Sequence, residues 1–231
     1  MRQMVKNPLL THSHLPLFLL AGTMIGYALA TFILNRILSD RVMRGLISVS
    51  AYQNQLSRLV SAAGLAASVL LFGLAVWCVV QSRGISRAAF ILTALASGGP
   101  LMVAQASRLL FQVLGLPTMG AGSVLAATFA ALVFTLPMTI AFILLASSRS
   151  NPRPGRWIAL VSALVTLAAL VYPIYITVLA LLITPGAPGL GPKMTASGYL
   201  LYLRFALPGL GLLLLALVSV RQKRTTRAKT P

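Results

Sequence analysis

Acidic side chains are almost absent from this sequence of 231 residues, in which Asp40 is the single carboxylate against 19 lysines and arginines. One aspartate cannot supply the clustered acidic ligands on which metal-dependent phosphotransferases rely. Cysteine is equally scarce: Cys78 stands alone, which excludes an intrachain disulfide and a cysteine cluster. The two histidines, His12 and His14, have no third ligand nearby, so we predict that they bind no metal.

Reactive side chains are also missing from the long apolar segments, which contain no histidine, lysine or acid. A haem or chlorophyll held at depth usually needs an imidazole, a retinal Schiff base needs a lysine, and proton relays use buried carboxylates or histidines. Ser97, beside Gly98 and Gly99, has no histidine at depth to act as its base. We therefore predict that the chain is not an enzyme and holds no cofactor.

Apolar side chains are what the sequence has in excess. Hydrophobic residues make up 58% of the chain and charged residues 9%, whereas soluble domains carry about a quarter charged residues. Apolar runs of ~20 residues, enough to cross a hydrocarbon core of about 30 Å, recur along the sequence. The composition predicts an all-α, polytopic transmembrane helical bundle of about six spans.

The predicted spans form a single transmembrane domain over residues 1–220. They lie at about residues 15–38, 59–81, 88–116, 124–147, 157–184 and 199–220. Residues 39–58 mix arginines with apolar side chains, which favours an amphipathic segment lying along the membrane interface; an ordinary solvated connector is the alternative. Residues 221–231 are predicted to be a basic cytoplasmic tail.

The basic residues predict the orientation of the bundle. With the N-terminus in the cytoplasm, Arg2, Lys6 and the cations of two short connections and of the tail lie there too. The loops at 117–123 and 185–198 then face outward and hold only Lys193. The positive-inside rule favours this arrangement, with both termini cytoplasmic, although residues 39–58 place three arginines outside. We expect a multi-pass protein of a bacterial or archaeal plasma membrane.

The cations also predict the partners. At the ends of spans and in the tail they are expected to meet anionic lipid headgroups. The tail has no aromatic side chains on which bases could stack, so we predict no nucleic acid partner. Other membrane protein subunits are the second expected class of partner.

A few polar side chains fall inside the predicted spans. Gln105, Arg108 and Gln112 have the spacing of one helix face, and Arg36 and Arg204 lie near the outer ends of their spans. An arginine at depth costs ~2.5–3.5 kcal/mol on insertion scales, so it should face protein or a cavity unless it snorkels to the surface. These residues are candidate contacts for an anion, a lipid or a partner: lipid phosphates, a partner carboxylate and a bound anionic substrate all remain open.

Proline interrupts four successive spans, at Pro100, Pro137, Pro173 and Pro208. Each removes a backbone hydrogen bond and is expected to kink its helix. Curved helices around a shared space are one interpretation; the other is that proline is simply common in membrane helices.

Small residues recur at four-residue spacing in the first span, at Gly22, Gly26 and Ala30. This spacing lets two helices approach closely. It predicts a packing face, either within the chain or against another subunit.

Residues 50–103 carry an ordered set of features: the polar connector from Ser50 to Leu56, a span rich in Gly, Ala and Leu, the basic glycine turn at 82–87, and a span broken by Gly98-Gly99-Pro100. This order resembles that of bacterial Yip1-type membrane proteins, over about a quarter of the chain. The resemblance implies a non-catalytic membrane protein that acts through protein partners or lipids. Yip1-type proteins typically have five spans, one fewer than predicted here.

Three functional interpretations are consistent with these features. The first is a non-enzymatic accessory or scaffold subunit, or a membrane organiser, that acts through protein and lipid contacts. The second is the membrane permease subunit of a transporter, for example an ATPase-driven exporter. The third is an accessory subunit of a respiratory or photosynthetic membrane complex.

Overall fold

The computed structural model describes residues 13–98, 121–149, 151–171, 174–175 and 190–227. The regular structure of these residues consists of six helices: α1 (Leu15–Met43), α2 (Val49–Gln81), α3 (Ile85–Gly98), α4 (Ala121–Ser147), α5 (Arg153–Ala168) and α6 (Leu190–Arg227). The predicted all-α membrane bundle is confirmed. In this part of the chain, three stretches are long and apolar enough to cross a membrane, namely Leu15–Met43, Arg58–Gln81 and Phe205–Gln222, and Ile85–Gly98 and Leu132–Ser147 are shorter apolar helices.

The helices form a closed circuit within the described residues. Each helix packs against its neighbour in sequence, and α6 closes the circuit by packing against both α5 and α1. A contact between α4 and α6 crosses the circuit. Helices joined by short connections therefore run antiparallel side by side, as in other helical bundles.

The side chains are distributed as a bilayer requires. Large apolar residues cover the outside, with Val80 at 75% exposure as one example. The interior combines apolar residues such as Leu20 and Phe142 with fully buried hydroxyls such as those of Ser68 and Ser97. In water this surface would be an aggregation hazard, whereas lipid tails solvate it. The chain is an integral membrane protein.

The first two helices are longer than a bilayer needs. At 1.5 Å per residue, α1 with 29 residues is about 44 Å long and α2 with 33 residues about 50 Å. A turn at residues 44–48 joins them, and Gly45 adopts a positive φ of 70° there. Ser48 starts α2, because its side chain accepts a hydrogen bond from the Ala51 N–H at 3.2 Å.

Residues 39–58, which were predicted to lie along the membrane interface, are distributed over three parts of the structure. These residues are shared among the last turns of α1, the connecting turn and the first turns of α2. The hydroxyl of Tyr52 on α2 donates a hydrogen bond to Oδ1 of Asn35 on α1 and so joins the two helices near their turn. The described residues between 39 and 58 thus form part of a helical hairpin.

Two other helix ends differ from the predicted spans. Helix α6 begins at Leu190, inside the predicted loop, and continues to Arg227, inside the predicted tail. Helix α5 ends at Ala168, where the Ala169 N–H still bonds to the Val165 carbonyl at 3.1 Å. Pro173, which was predicted to kink this span, lies outside the described residues.

Candidate functional site

The interior hydroxyls are the first candidate for chemistry, because they lie where a substrate or cofactor would be held. Most of them donate to a carbonyl of their own helix one turn earlier. The pairs are Thr31 to Tyr27 at 2.7 Å, Thr93 to Ala89 at 3.1 Å, Ser97 to Thr93 at 2.8 Å, Thr139 to Thr135 at 2.9 Å, and Ser162 to Ile158 at 2.7 Å. This back-bonding satisfies the hydroxyl donor locally. These groups stabilise the interior and have no donor left over.

Three buried hydroxyls, those of Thr135, Thr166 and Ser219, make no hydrogen bond among the described residues. Thr135 lies 12 residues before the end of α4 and Thr166 lies 13 residues after the start of α5. On two antiparallel neighbours these positions correspond to similar depths, about 18–20 Å from the shared end. Thr135 and Thr166 are thus unused donors in the middle of the bundle.

An aromatic cluster occupies the interior at a similar depth. The rings of Tyr27 on α1 and Phe205 on α6 meet edge to face with centroids 5.1 Å apart. Phe134 on α4 lies 4.8 Å from Phe205 in a tilted arrangement. Contacts of this kind contribute about 0.5–1.5 kcal/mol beyond their buried area. The cluster stabilises the packing of α1, α4 and α6 in the interior of the bundle.

The terminal end of the bundle, where α1, α3 and α5 begin and α2 and α4 end, is joined by hydrogen bonds between helices and loops. The hydroxyls of Ser86 and Ser148 are 3.0 Å apart and connect α3 to α4. The Ser13 N–H bonds to the Gln81 side chain at 3.3 Å and connects α1 to α2. Both contacts lie beside short connections. They fix the order of the helices at this end.

Asn151 organises the connection between α4 and α5. Its side-chain amide donates to the Leu145 carbonyl at 3.2 Å, and its own carbonyl accepts from Nε of Arg156 at 3.1 Å. The side chain is 1% exposed and packs against Gly155, where an added Cβ would collide with its amide oxygen. The buried amide thus serves as a cap for the last turn of α4.

A basic collar surrounds the terminal end. Its members are arginines on or next to the helix ends, namely Arg83, Arg87, Arg149, Arg153, Arg156 and Arg221. Arg156 is half-buried and the others are exposed. The first turns of α1 and α3 contain no acidic residue, and neither does that of α5. Helix N-termini carry a partial positive charge, which adds to the positive charge of the arginines at this end.

The hairpin end lies opposite, where α1 turns into α2. Arg36, Arg41, Arg44 and Arg58 are all exposed there. Asp40 pairs with Arg44 one turn later at 3.1 Å, on an exposed surface where such a pair contributes little. Positive charge therefore predominates at both ends of the bundle.

The glycines predicted to pack do not do so within the described chain. Gly22, Gly26 and Ala30 lie on the exposed face of α1, and a Cβ at Gly22 or Gly26 would have no atom within 4 Å. Close helix contacts occur instead at two glycines of α6, which the sequence analysis missed. A Cβ at Gly209 would lie 2.9 Å from Met24 and 3.1 Å from the Ala21 carbonyl, and one at Gly211 would collide with Ser162.

The remaining predicted residues have the following places. Arg204 lies in α6, where its backbone alone is described, and Gln105, Arg108, Gln112, Pro100 and Pro173 lie outside the described residues. Pro137 lies within α4 and Pro208 within α6, and both helices continue past them. Among the described residues, no group of three or more histidine, cysteine, aspartate or glutamate side chains is arranged to hold a metal ion.

No family model matches this chain, and neither a curated protein nor a solved structure matches it.

Proposed function

We propose that this chain is a non-enzymatic subunit of the plasma membrane of a bacterium or archaeon, and that it acts as an accessory or scaffold protein or as a membrane organiser. The resemblance to Yip1-type proteins supports the organiser role. In this proposal the terminal end faces the cytoplasm. The protein works through contacts on its surface with partner proteins and with anionic lipids.

The observation that carries the proposal is the location of the polar groups that could bind a partner. Interior hydroxyls such as those of Thr93 and Ser162 are engaged by their own helices, whereas the arginines of the basic collar are almost all exposed. Binding energy for a partner is therefore available at the ends of the bundle. The packed interior contributes stability and a fixed spacing of the helices.

The lipid part of the proposal can be tested with the collar arginines. Native mass spectrometry of the purified protein should show bound phosphatidylglycerol or cardiolipin. Replacing Arg83, Arg87 and Arg153 with glutamine should weaken the affinity for these lipids by about two orders of magnitude, since each cation near the surface contributes about 1 kcal/mol and every ~1.4 kcal/mol is tenfold. Equal retention of anionic and zwitterionic lipid by the wild-type protein would contradict it.

The partner part requires a separate experiment. Purification in digitonin from native membranes should yield a stoichiometric complex with at least one other membrane protein. Purified chain alone in liposomes should move no solute and turn over no substrate. Solute flux or turnover by the isolated chain would overturn the proposal.

The permease interpretation is the second candidate, and one observation favours it. Thr135 and Thr166 are buried donors without a partner, near the middle of a closed circuit of helices. A polar solute passing through the bundle would meet them. A double Thr135→Val and Thr166→Val variant keeps the shape of both side chains and removes their hydroxyls. It should lower solute flux if the permease interpretation is correct. If the chain is instead a scaffold, the variant should bind its partner as the wild-type protein does.

A further inference from the structure

We propose that the tip of the α1–α2 hairpin is a docking surface for an acidic protein domain outside the membrane. The hairpin tip is defined here as Arg41, Met43, Arg44, Gly45 and Leu46. The inference rests on the proposed function, because it names the surface and the charge of one partner. It concerns the end of the molecule opposite to the start of α1 and the end of α6.

The length of the helices places the tip beyond the lipid. Arg58 lies 23 residues from Gln81, the residue at which α2 ends, and this corresponds to about 35 Å of helix. The hydrocarbon core is about 30 Å thick, and each headgroup layer adds roughly 5–8 Å. Val49 lies about 48 Å from Gln81, or about 45 Å with a typical tilt of ~20°. With Gln81 at the inner edge of the hydrocarbon core, the core and the outer headgroup layer together take up about 35–38 Å of this length. The turn that follows α1 then lies several ångströms outside the headgroups.

The tip is apolar where water would surround it. Met43 is 85% exposed and Leu46 is 68% exposed. On the sides of the bundle such exposure is explained by lipid, but that explanation does not extend to a turn beyond the headgroup layer. Methionine and arginine are both enriched in protein interfaces, so Met43 and Leu46 beside exposed arginines suit an interaction site.

Charge complementarity identifies the kind of partner. Arg41 and Arg44 are both exposed at the tip. Asp40 is the single acid of the whole chain, and it offsets one of them through the pair with Arg44. A second copy of this chain would bring arginine against arginine. An acidic protein surface would instead pair with the arginines and cover the two apolar side chains.

The tip is also held in one conformation, which lowers the cost of binding. The Leu46 N–H bonds to the Arg41 carbonyl at 2.9 Å, and the Gly45 N–H bonds to the Val42 carbonyl at 2.9 Å. Gly45 supplies the positive φ that the turn requires. Below the turn, Tyr52 and Asn35 connect the two helices.

The proposal can be tested by photo-cross-linking in native membranes. A benzophenone amino acid placed at Leu46 of the full chain should form an adduct with a protein, and the cross-linked peptide of that protein should lie within an acidic surface. The same group at Phe32, which is exposed on the lipid-facing side of α1, should form lipid adducts. Adducts at Leu46 with lipid alone, with a second copy of this chain, or with nothing would each overturn the proposal.

Charge variants make the test specific. A double Arg41→Glu and Arg44→Glu variant should reduce the protein adduct at least tenfold, while the matched Arg41→Lys and Arg44→Lys variant should keep most of it. Replacing the acidic residues of the partner's cross-linked peptide with lysine should allow the glutamate variant to form the adduct again. An adduct that is insensitive to these changes would contradict charge recognition.

A second measurement distinguishes an acidic protein partner from anionic lipid as the group that the hairpin tip binds. A polarity-sensitive dye on Leu46→Cys, in a chain that carries Cys78→Ala, should emit identically in nanodiscs of phosphatidylcholine and in nanodiscs with one quarter phosphatidylglycerol. A blue shift on the anionic discs would place the tip in the headgroups and overturn the inference. If the partner still co-purifies with the glutamate variant, this surface is wrong and the proposed function stands; if the wild-type protein retains no partner, both fail.

Discussion

The two ends of the bundle are built differently. At the terminal end, α3 and α4 are joined by Ser86 and Ser148, and the buried Asn151 caps α4. At the hairpin end, an exposed turn joins two long helices that Tyr52 and Asn35 connect. Where the chain reverses close to the lipid, its backbone groups need partners from the protein. Where it reverses in water, the surface is free for recognition.

Crowding the terminal end should have the largest effect. Gly155→Ala places a Cβ against the buried amide of Asn151, and overpacking of this kind costs about 1–3 kcal/mol. The matched control is Gly73→Ala in α2, where a Cβ meets no atom within 4 Å. Unfolding in mixed micelles should show a loss for the first variant and none for the second. Equal stability of both variants would contradict the tight packing at this end.

The same site allows a sharper experiment. Because Gly155 and Asn151 are in contact, their substitutions should not add. In an Asn151→Ala variant, the side chain with which the new Cβ would collide is absent. Adding Gly155→Ala to this variant should therefore lower the free energy of unfolding by less than about 0.5 kcal/mol, the usual size for a substitution that breaks no specific contact. Full additivity in this cycle would show that the collision with Asn151 is not the cause.

One hydrogen bond at each end can be compared directly. Ser86→Ala removes a buried contact between helices, and Tyr52→Phe removes a part-buried one. Each should cost about 0.5–1.5 kcal/mol locally. Hydrogen exchange should show that Ser86→Ala loosens α3 and α4 together, whereas Tyr52→Phe loosens the hairpin alone. Propagation of the second change into α3 would remove the distinction between the ends.

The smallest effect is expected at the surface ion pair. Asp40→Asn removes the partner of Arg44, with side chains 52% and 72% exposed. Exposed pairs of this kind contribute at most about 0.5 kcal/mol and are screened by salt. Thermal stability should therefore be unchanged within error at 0.5 M salt. A decrease of more than about 1 kcal/mol in the free energy of unfolding would mean that Asp40 stabilises the tip by more than an exposed ion pair can.

The two ends of the bundle also differ in how well the sequence predicts where the helices begin and end. At the terminal end, spans predicted to start at residue 15 and to end at residues 81 and 147 coincide with helix ends at Leu15, Gln81 and Ser147. Arginine turns interrupt the apolar pattern there. At the hairpin end, α1 reaches Met43 and α2 begins at Val49. Ser48 caps the start of α2, and the hydropathy of the sequence carries no information about that cap.

The packing contacts were harder to predict than the fold. Four-residue spacing singled out Gly22 and Gly26, which face outward, and overlooked Gly209 and Gly211, which are two residues apart. Close approach at Gly209 depends on the position of Met24 on another helix, and a single sequence does not contain that information. The buried hydroxyls did leave a signal: Ser86, Thr93 and Ser97 recur at helical spacing along α3.

The central claim is that the exposed apolar side chains of this bundle face lipid, while the buried apolar side chains and hydroxyls pack against one another. Spin labels along α2 test it most directly, through their accessibility to oxygen, which partitions into lipid, and to a water-soluble nickel complex. Labels at Phe72, Val76 and Val80, which are exposed, should be oxygen-accessible and nickel-inaccessible, and labels at Leu71, Ala75 and Cys78, which are buried, should be inaccessible to both. High nickel accessibility at the exposed positions would contradict the account.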